Sequence, residues 1–177
     1  APGAAINTGP MWRIPMMAFY YPNMSAMMLG AAEGAFQIAT EAMKQRVLTY
    51  GGAKAATLDH VRINTGRNRV RLNAIVALLE AEAACVERTA VAGEPFALEH
   101  RVATRANCTH VIKQARDIVN DICDQAGTSA FMMHSDLQRF HRELAVLSSH
   151  AFYDFDRMSL SYGQVLLDGT LPAGEMA

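Results

Sequence analysis

Among the side chains able to move a proton or bind charge, His150 has the most informative setting. It lies four residues before Asp154, at a point where one helical pattern stops and another begins. A histidine at a helix end facing a cleft can serve as a general base near neutral pH, and Asp154 could orient its ring or set its tautomer. The same spacing also fits a plainer role, a hydrogen bond from the ring to the last carbonyls of its own helix. Spacing by itself favours the plainer role. The other histidines, His60, His100, His110, His134 and His141, follow no metal-ligand rhythm and read as solvated or structural.

Arg46, Arg62, Arg67, Arg69 and Arg71 gather at or near the junction of the first two helical stretches. A guanidinium suits bidentate phosphate recognition, although arginines on a long helix usually form its solvated face. Several other chemistries lack their residues. No glutamate has a histidine three positions on, so the Glu-x-x-His pairs of a carboxylate-bridged di-iron bundle are missing. There is no GxSxG elbow, P-loop or GxGxxG. Cys85, Cys108 and Cys123 lack CxxC spacing, which argues against a disulfide framework or zinc site and for a reducing, cytoplasmic setting. The 16 Lys and Arg are offset by 17 Asp and Glu for a net charge of -1, so no nucleic-acid partner is expected.

These residues need a scaffold, and the spacing predicts an all-helical one. Residues 1–22 hold four of the six prolines and read as an extended lead-in from an upstream domain, with a helical domain over 23–177. Met24, Met28, Ala31, Ala35, Ile38 and Ala42 mark one face of a first helix, capped by Asn23 or Ser25 and ended by Gly51 and Gly52. A second helix over about Thr57 to Thr89 carries two apolar stripes, Leu72-Ile75-Leu79-Val86 and Val70-Ala74-Ala77-Ala81-Ala84, implying burial on two sides, inside a bundle or against another subunit. A third runs from about Phe96 to Ala126 with Gly127 as its stop. A fourth starts at Ser135 or Asp136 and breaks near His150, and Asp154 caps a last one. An antiparallel up-down four-helix bundle is the natural architecture. The Met-rich stretch 15–36 is too interrupted for a membrane span, and the start APGAAINTGP lacks a signal peptide's features and reads as a cut inside a longer chain.

The segment Gly127 to Gly163 resembles the C-terminal domain of the two-component aromatic hydroxylases, flavin-dependent monooxygenases related to acyl-CoA dehydrogenases. That group includes oxygenases acting on 4-hydroxyphenylacetate, a phenolic seco-steroid, dibenzothiophene and polyketides. The matching elements are Gly127 with Thr128 and Ser129, then Leu137-Gln138-Arg139, Arg142-Glu143, His150, and Tyr162-Gly163. Gly9 to Pro15, GPMWRIP, resembles the link from the family's middle β-domain. The family commonly has an aromatic residue at the position of His141 and Asp at that of Glu143, which marks a divergent member.

The resemblance implies a tetrameric oxygenase that takes reduced FMN or FAD from a separate reductase, forms a flavin C4a-hydroperoxide with molecular oxygen, and hydroxylates a small aromatic substrate. It gives His150 the role of base toward the phenol, with Asp154 assisting. It places the Gly127, Thr128 and Ser129 turn against the flavin ring and Arg46 near the flavin or its phosphate. Two other readings share the bundle, an acyl-CoA dehydrogenase or oxidase domain and a non-catalytic helical oligomerisation module. The first lacks a convincingly placed glutamate base, and the second is favoured by the two-sided apolar helices.

Overall fold

The apolar stripes become five α-helices: α1 (Met16–Gln45), α2 (Asp59–Ala92), α3 (Leu98–Ala126), α4 (Asp136–Ser148) and α5 (Phe155–Asp168). Short 3-10 turns lie between several of them, including Gly127–Phe131 and Ala151–Tyr153. The computed structural model describes residues 2–49 and 51–175, and among these there is no strand, only an isolated antiparallel bridge between Val47 and Lys54.

Two units divide the chain. One is built from Ala1–Met27, Ala77–Lys113 and His150–Ala177, the other from Met28–Val76 and Gln114–Ser149. Each therefore draws on stretches of α1, α2 and α3, and its fourth helix is α5 in the first unit and α4 in the second. In both, the stretch of α3 is deeply buried: Val102, Val111 and Ile112 are fully enclosed in the first, and Ala115, Ile118 and Val119 in the second. A helix apolar on several sides belongs at a bundle's centre.

Helix α1 differs from its expected form. It begins at Met16 and holds Pro22 in its interior, so residues 16–22 are helical where an extended lead-in was expected, and Asn23 and Ser25 lie within the helix and do not cap it. Proline removes one helical hydrogen bond, and here burial around it offsets that loss. Ala18, Tyr21, Ser25 and Met28 form one buried stripe that continues through Ala32, Ala35, Ala39 and Met43. That stripe is rotated from the expected one, and Ile38 is left 37% exposed. Alanine-rich faces explain the shift, because small residues on every side leave hydrophobicity a poor guide to which face packs. In the second unit Gly34 allows α4 to approach: a Cβ there would stand 3.1 Å from the Phe140 ring.

On α2 the stripe Leu72, Ile75, Leu79 and Val86 is buried, whereas Val70 of the second stripe is 67% exposed. Ser25 links α1 to α3 in the first unit by donating to the Tyr21 carbonyl at 2.8 Å and the Cys108 carbonyl at 3.0 Å. The Cys108 thiol is pushed from 9.0 up to about 12, chiefly by burial.

Ile112→Ala is expected to destabilise the chain by about 2–5 kcal/mol and Val70→Ala by less than about 0.5 kcal/mol, read from urea midpoints. A second expectation follows from Cys108. The folded state keeps this proton above pH 9 where the unfolded chain loses it, so stability is full below the ordinary value of 9.0 and declines as pH rises toward about 12. Urea midpoints should therefore fall on the alkaline side, and fall less steeply in Cys108→Ala.

Candidate functional site

His150 stands on the break between α4 and α5. Helix α4 ends at Ser148, and His150 is the N-cap of the 3-10 turn Ala151–Tyr153. Its Nδ1 accepts from the Phe152 N–H at 3.2 Å, so the expected bond to the carbonyls of its own helix is replaced by one to the turn that follows. A neutral imidazole with an acceptor at Nδ1 carries its proton on Nε2. The ring lies 5.1 Å from that of Phe152 and 5.7 Å from that of Tyr153, centroid to centroid, and His150 itself is exposed.

Asp154 caps α5, as its position predicts: one carboxylate oxygen, Oδ1, accepts from the Asp156 N–H at 3.1 Å and the Arg157 N–H at 3.2 Å. Among the described residues no hydrogen bond joins it to His150. Its influence on the histidine runs through the backbone, because the cap fixes where α5 starts.

The second group of expected site residues lies in the other unit, where α3 ends. Gly127 takes φ +69°, a left-handed conformation that favours glycine, and space in front of it is open. The Ala126 carbonyl, one of the unsatisfied acceptors at a helix C-terminus, accepts from Arg46 Nη1 at 2.8 Å and from Ser129 Oγ at 3.0 Å. The arginine also meets the negative end of the helix dipole. Arg46 and Ser129 both line a cavity of about 440 Å³ whose apolar walls include Ile38, Met43 and Leu137. Thr128 is exposed beside it in the chain. Arg46, Gly127 and Ser129 are thus brought together, His150 and Asp154 are neighbours on another turn, and the two groups belong to different units.

Sequence reasoning missed the residues that hold the His150 turn. Tyr21, 1% exposed, donates to the Phe152 carbonyl at 2.9 Å, and the Tyr20 and Tyr153 hydroxyls are 2.7 Å apart. The Arg105 guanidinium sits over the Tyr21 ring at 5.6 Å and reaches Glu175 at 3.7 Å. The adjacent aromatic pair Tyr20-Tyr21 is the available signal, but it precedes Asn23, where the sequence predicts the helix to begin. Among the described residues no His, Cys, Asp and Glu cluster could hold a metal, and no helix is long and apolar enough to cross a membrane.

An all-helical chain with this element order has known counterparts. The family model described as acyl-CoA dehydrogenase, C-terminal domain, matches residues 23–155. The chain belongs to this family, and its fold is the antiparallel four-helix bundle of that domain. It is 30% identical over 169 residues to a pigment production hydroxylase of Rhodococcus sp. (strain ATCC 21145), covering 95% of this chain and 43% of that protein. It is 26% identical over 164 residues to the flavin-dependent monooxygenase, oxygenase subunit HsaA, of Rhodococcus jostii (strain RHA1), covering 92% of this chain and 43% of that one. The solved 3-HSA hydroxylase from Rhodococcus sp. RHA1 superposes with a TM-score of 0.87 at 26% identity, over 99% of this chain and 45% of that chain. The chain thus spans less than half the length of these relatives.

Asp154→Ala should lower stability by about 1 kcal/mol through loss of the cap, a fall of about 2–4 °C in Tm followed by circular dichroism. Asp154→Asn keeps a capping oxygen and should cost clearly less.

Proposed function

We propose that this chain, helical from Met16 onward, is the C-terminal helical part of the oxygenase component of a two-component monooxygenase that uses reduced flavin to hydroxylate an aromatic or phenolic substrate. In the whole protein, the stretch before Met16 leads in from a preceding domain in this reading. The observation that carries the reading is the exposed His150 imidazole, held among the rings of Phe152 and Tyr153, in a chain related along nearly its full length to a flavin-dependent monooxygenase subunit. The exposed Phe152 ring beside the imidazole offers a phenol a stacking surface, while Tyr153 beneath is buried, and the imidazole meets the phenol's hydroxyl in this reading. His150 governs the ionisation of that hydroxyl: an ionised phenol ring is richer in electrons and reacts more readily with electrophilic oxygen.

The end of α3 suits one wall of a flavin site. Gly127 leaves the backbone approachable, the cavity beside Arg46 and Ser129 is mainly apolar, and among the described residues the guanidinium is hydrogen-bonded through Nη1 alone, which leaves donors for an anion. Gly127, Thr128, Ser129 and Arg46 are the residues that would hold FMN or FAD. When bound, the reduced flavin supplies the electrons that activate molecular oxygen. The protein's share is to bind and orient the ring, exclude water, and set the protonation of the substrate oxygen. A separate reductase supplies the reduced flavin, and the exposed apolar residues Ile63 and Val70 of α2 support assembly with further copies, a tetramer in this reading.

His150→Asn in the full-length protein tests the proposal. Hydroxylated product should fall by about 10²–10⁴-fold, while reduced flavin is still oxidised by oxygen and hydrogen peroxide accumulates. Product formation at the wild-type rate would overturn the role of His150.

A further inference from the structure

Two consecutive residues of α1 tie down the turn that carries His150. Tyr21 donates to the Phe152 carbonyl at 2.9 Å, and Tyr20 shares a hydroxyl-to-hydroxyl bond of 2.7 Å with Tyr153. Within the turn, the Tyr153 N–H donates to the His150 carbonyl at 2.8 Å and the Phe152 N–H to His150 Nδ1 at 3.2 Å. Phe152 therefore has both backbone groups committed: its carbonyl to Tyr21 and its N–H to the imidazole.

Tyr21 is itself firmly held. It is buried, its ring lies under Arg105, and its hydroxyl approaches Met158 Sδ at 3.7 Å, with Arg105 Nη2 3.1 Å from the same sulfur. Burial raises its phenol above the ordinary value of 10.0, so the hydroxyl keeps its proton and remains a donor through the neutral range.

We propose that Tyr21 is a positioning residue for His150: by anchoring Phe152 it holds the Phe152 N–H against Nδ1 and fixes the neutral ring as the Nε2–H tautomer. The functional meaning rests on the role given to His150 above. In this tautomer the outward nitrogen is a donor, suited to a phenolate oxygen, and a hydrogen bond to the charged form favours that form. To accept a phenolic proton at Nε2, that nitrogen must first release its own proton and Nδ1 must gain one, which ends the bond from Phe152. Tyr21 thus sets how firmly the ring is kept as a donor before it can act as a base. Direct packing of Tyr21 against a substrate is not required, because the effect passes through the Phe152 backbone.

The test is ¹⁵N NMR of the His150 ring in the full-length protein, in mildly alkaline buffer without flavin or substrate. The wild type should show Nδ1 at the unprotonated end of its range and Nε2 at the protonated end, and the Tyr21 hydroxyl proton should exchange slowly with solvent. In Tyr21→Phe the two nitrogen shifts should converge toward a tautomer average with the helical circular dichroism retained. Tyr153→Phe, which leaves the Tyr21 bond in place, should keep the wild-type separation. Averaged or reversed shifts in the wild type, a Tyr21 hydroxyl exchanging freely, or unchanged separation in a folded Tyr21→Phe would each overturn the proposal. Should Tyr21→Phe fail to fold, the two wild-type readouts still decide. None of them depends on hydroxylation, so the proposal can fail or stand independently of the His150→Asn result.

Discussion

The interruption of the helical chain between Ser148 and Phe155 is the constraint on which the candidate chemistry depends. Ending one helix and beginning another within a few residues leaves backbone donors and acceptors without helical partners, each costing about 1–3 kcal/mol if buried unpaired. Side chains take up the donors: His150 Nδ1 receives the Phe152 N–H, and Asp154 receives those of Asp156 and Arg157. The imidazole is therefore both a structural cap and an exposed titratable group. Its two nitrogens divide the roles, one spent on the turn and the other facing outward.

The end of α3 follows similar logic. A carbonyl left over at Ala126 draws in Arg46 and Ser129, and Gly127 turns the chain through a left-handed conformation. Arg46 therefore acts as a cation at a helix C-terminus, where its place on a long helix suggested a solvated face. The proposed flavin contact adds to that role, since the bond to Ala126 uses one of the guanidinium's nitrogens and orients the rest of the group. In both places the candidate functional side chain is held by the same bond that satisfies a helix end.

Much of this was readable in the sequence because helix ends are written in local chemistry. Asp154 as a cap, Gly127 as a stop, and the buried stripe of Leu72, Ile75, Leu79 and Val86 each depend on residues a few positions apart. The start of α1 was not readable, since Pro15 and Pro22 argue locally against a helix and only the burial of Ala18 and Tyr21 overrides them. The tethers on the His150 turn were hidden for a different reason. Tyr21 and Phe152 are 131 residues apart in sequence, and no periodicity links a tyrosine on α1 to a backbone carbonyl that far away. The resemblance over Gly127 to Gly163 is the source of the role proposed for His150, and the bond from the Phe152 N–H is the source of the tautomer proposed for it.

In the proposed function this domain serves oxygen insertion into an aromatic ring. The most direct measurement gives the full-length protein chemically reduced flavin, ¹⁸O₂ and a panel of phenols, and follows the label by mass spectrometry. One ¹⁸O atom is expected in the new ring hydroxyl of a product, independent of solvent oxygen. Label found only in hydrogen peroxide or water across the panel, or reduced flavin arising from acyl-CoA oxidation instead, would contradict it.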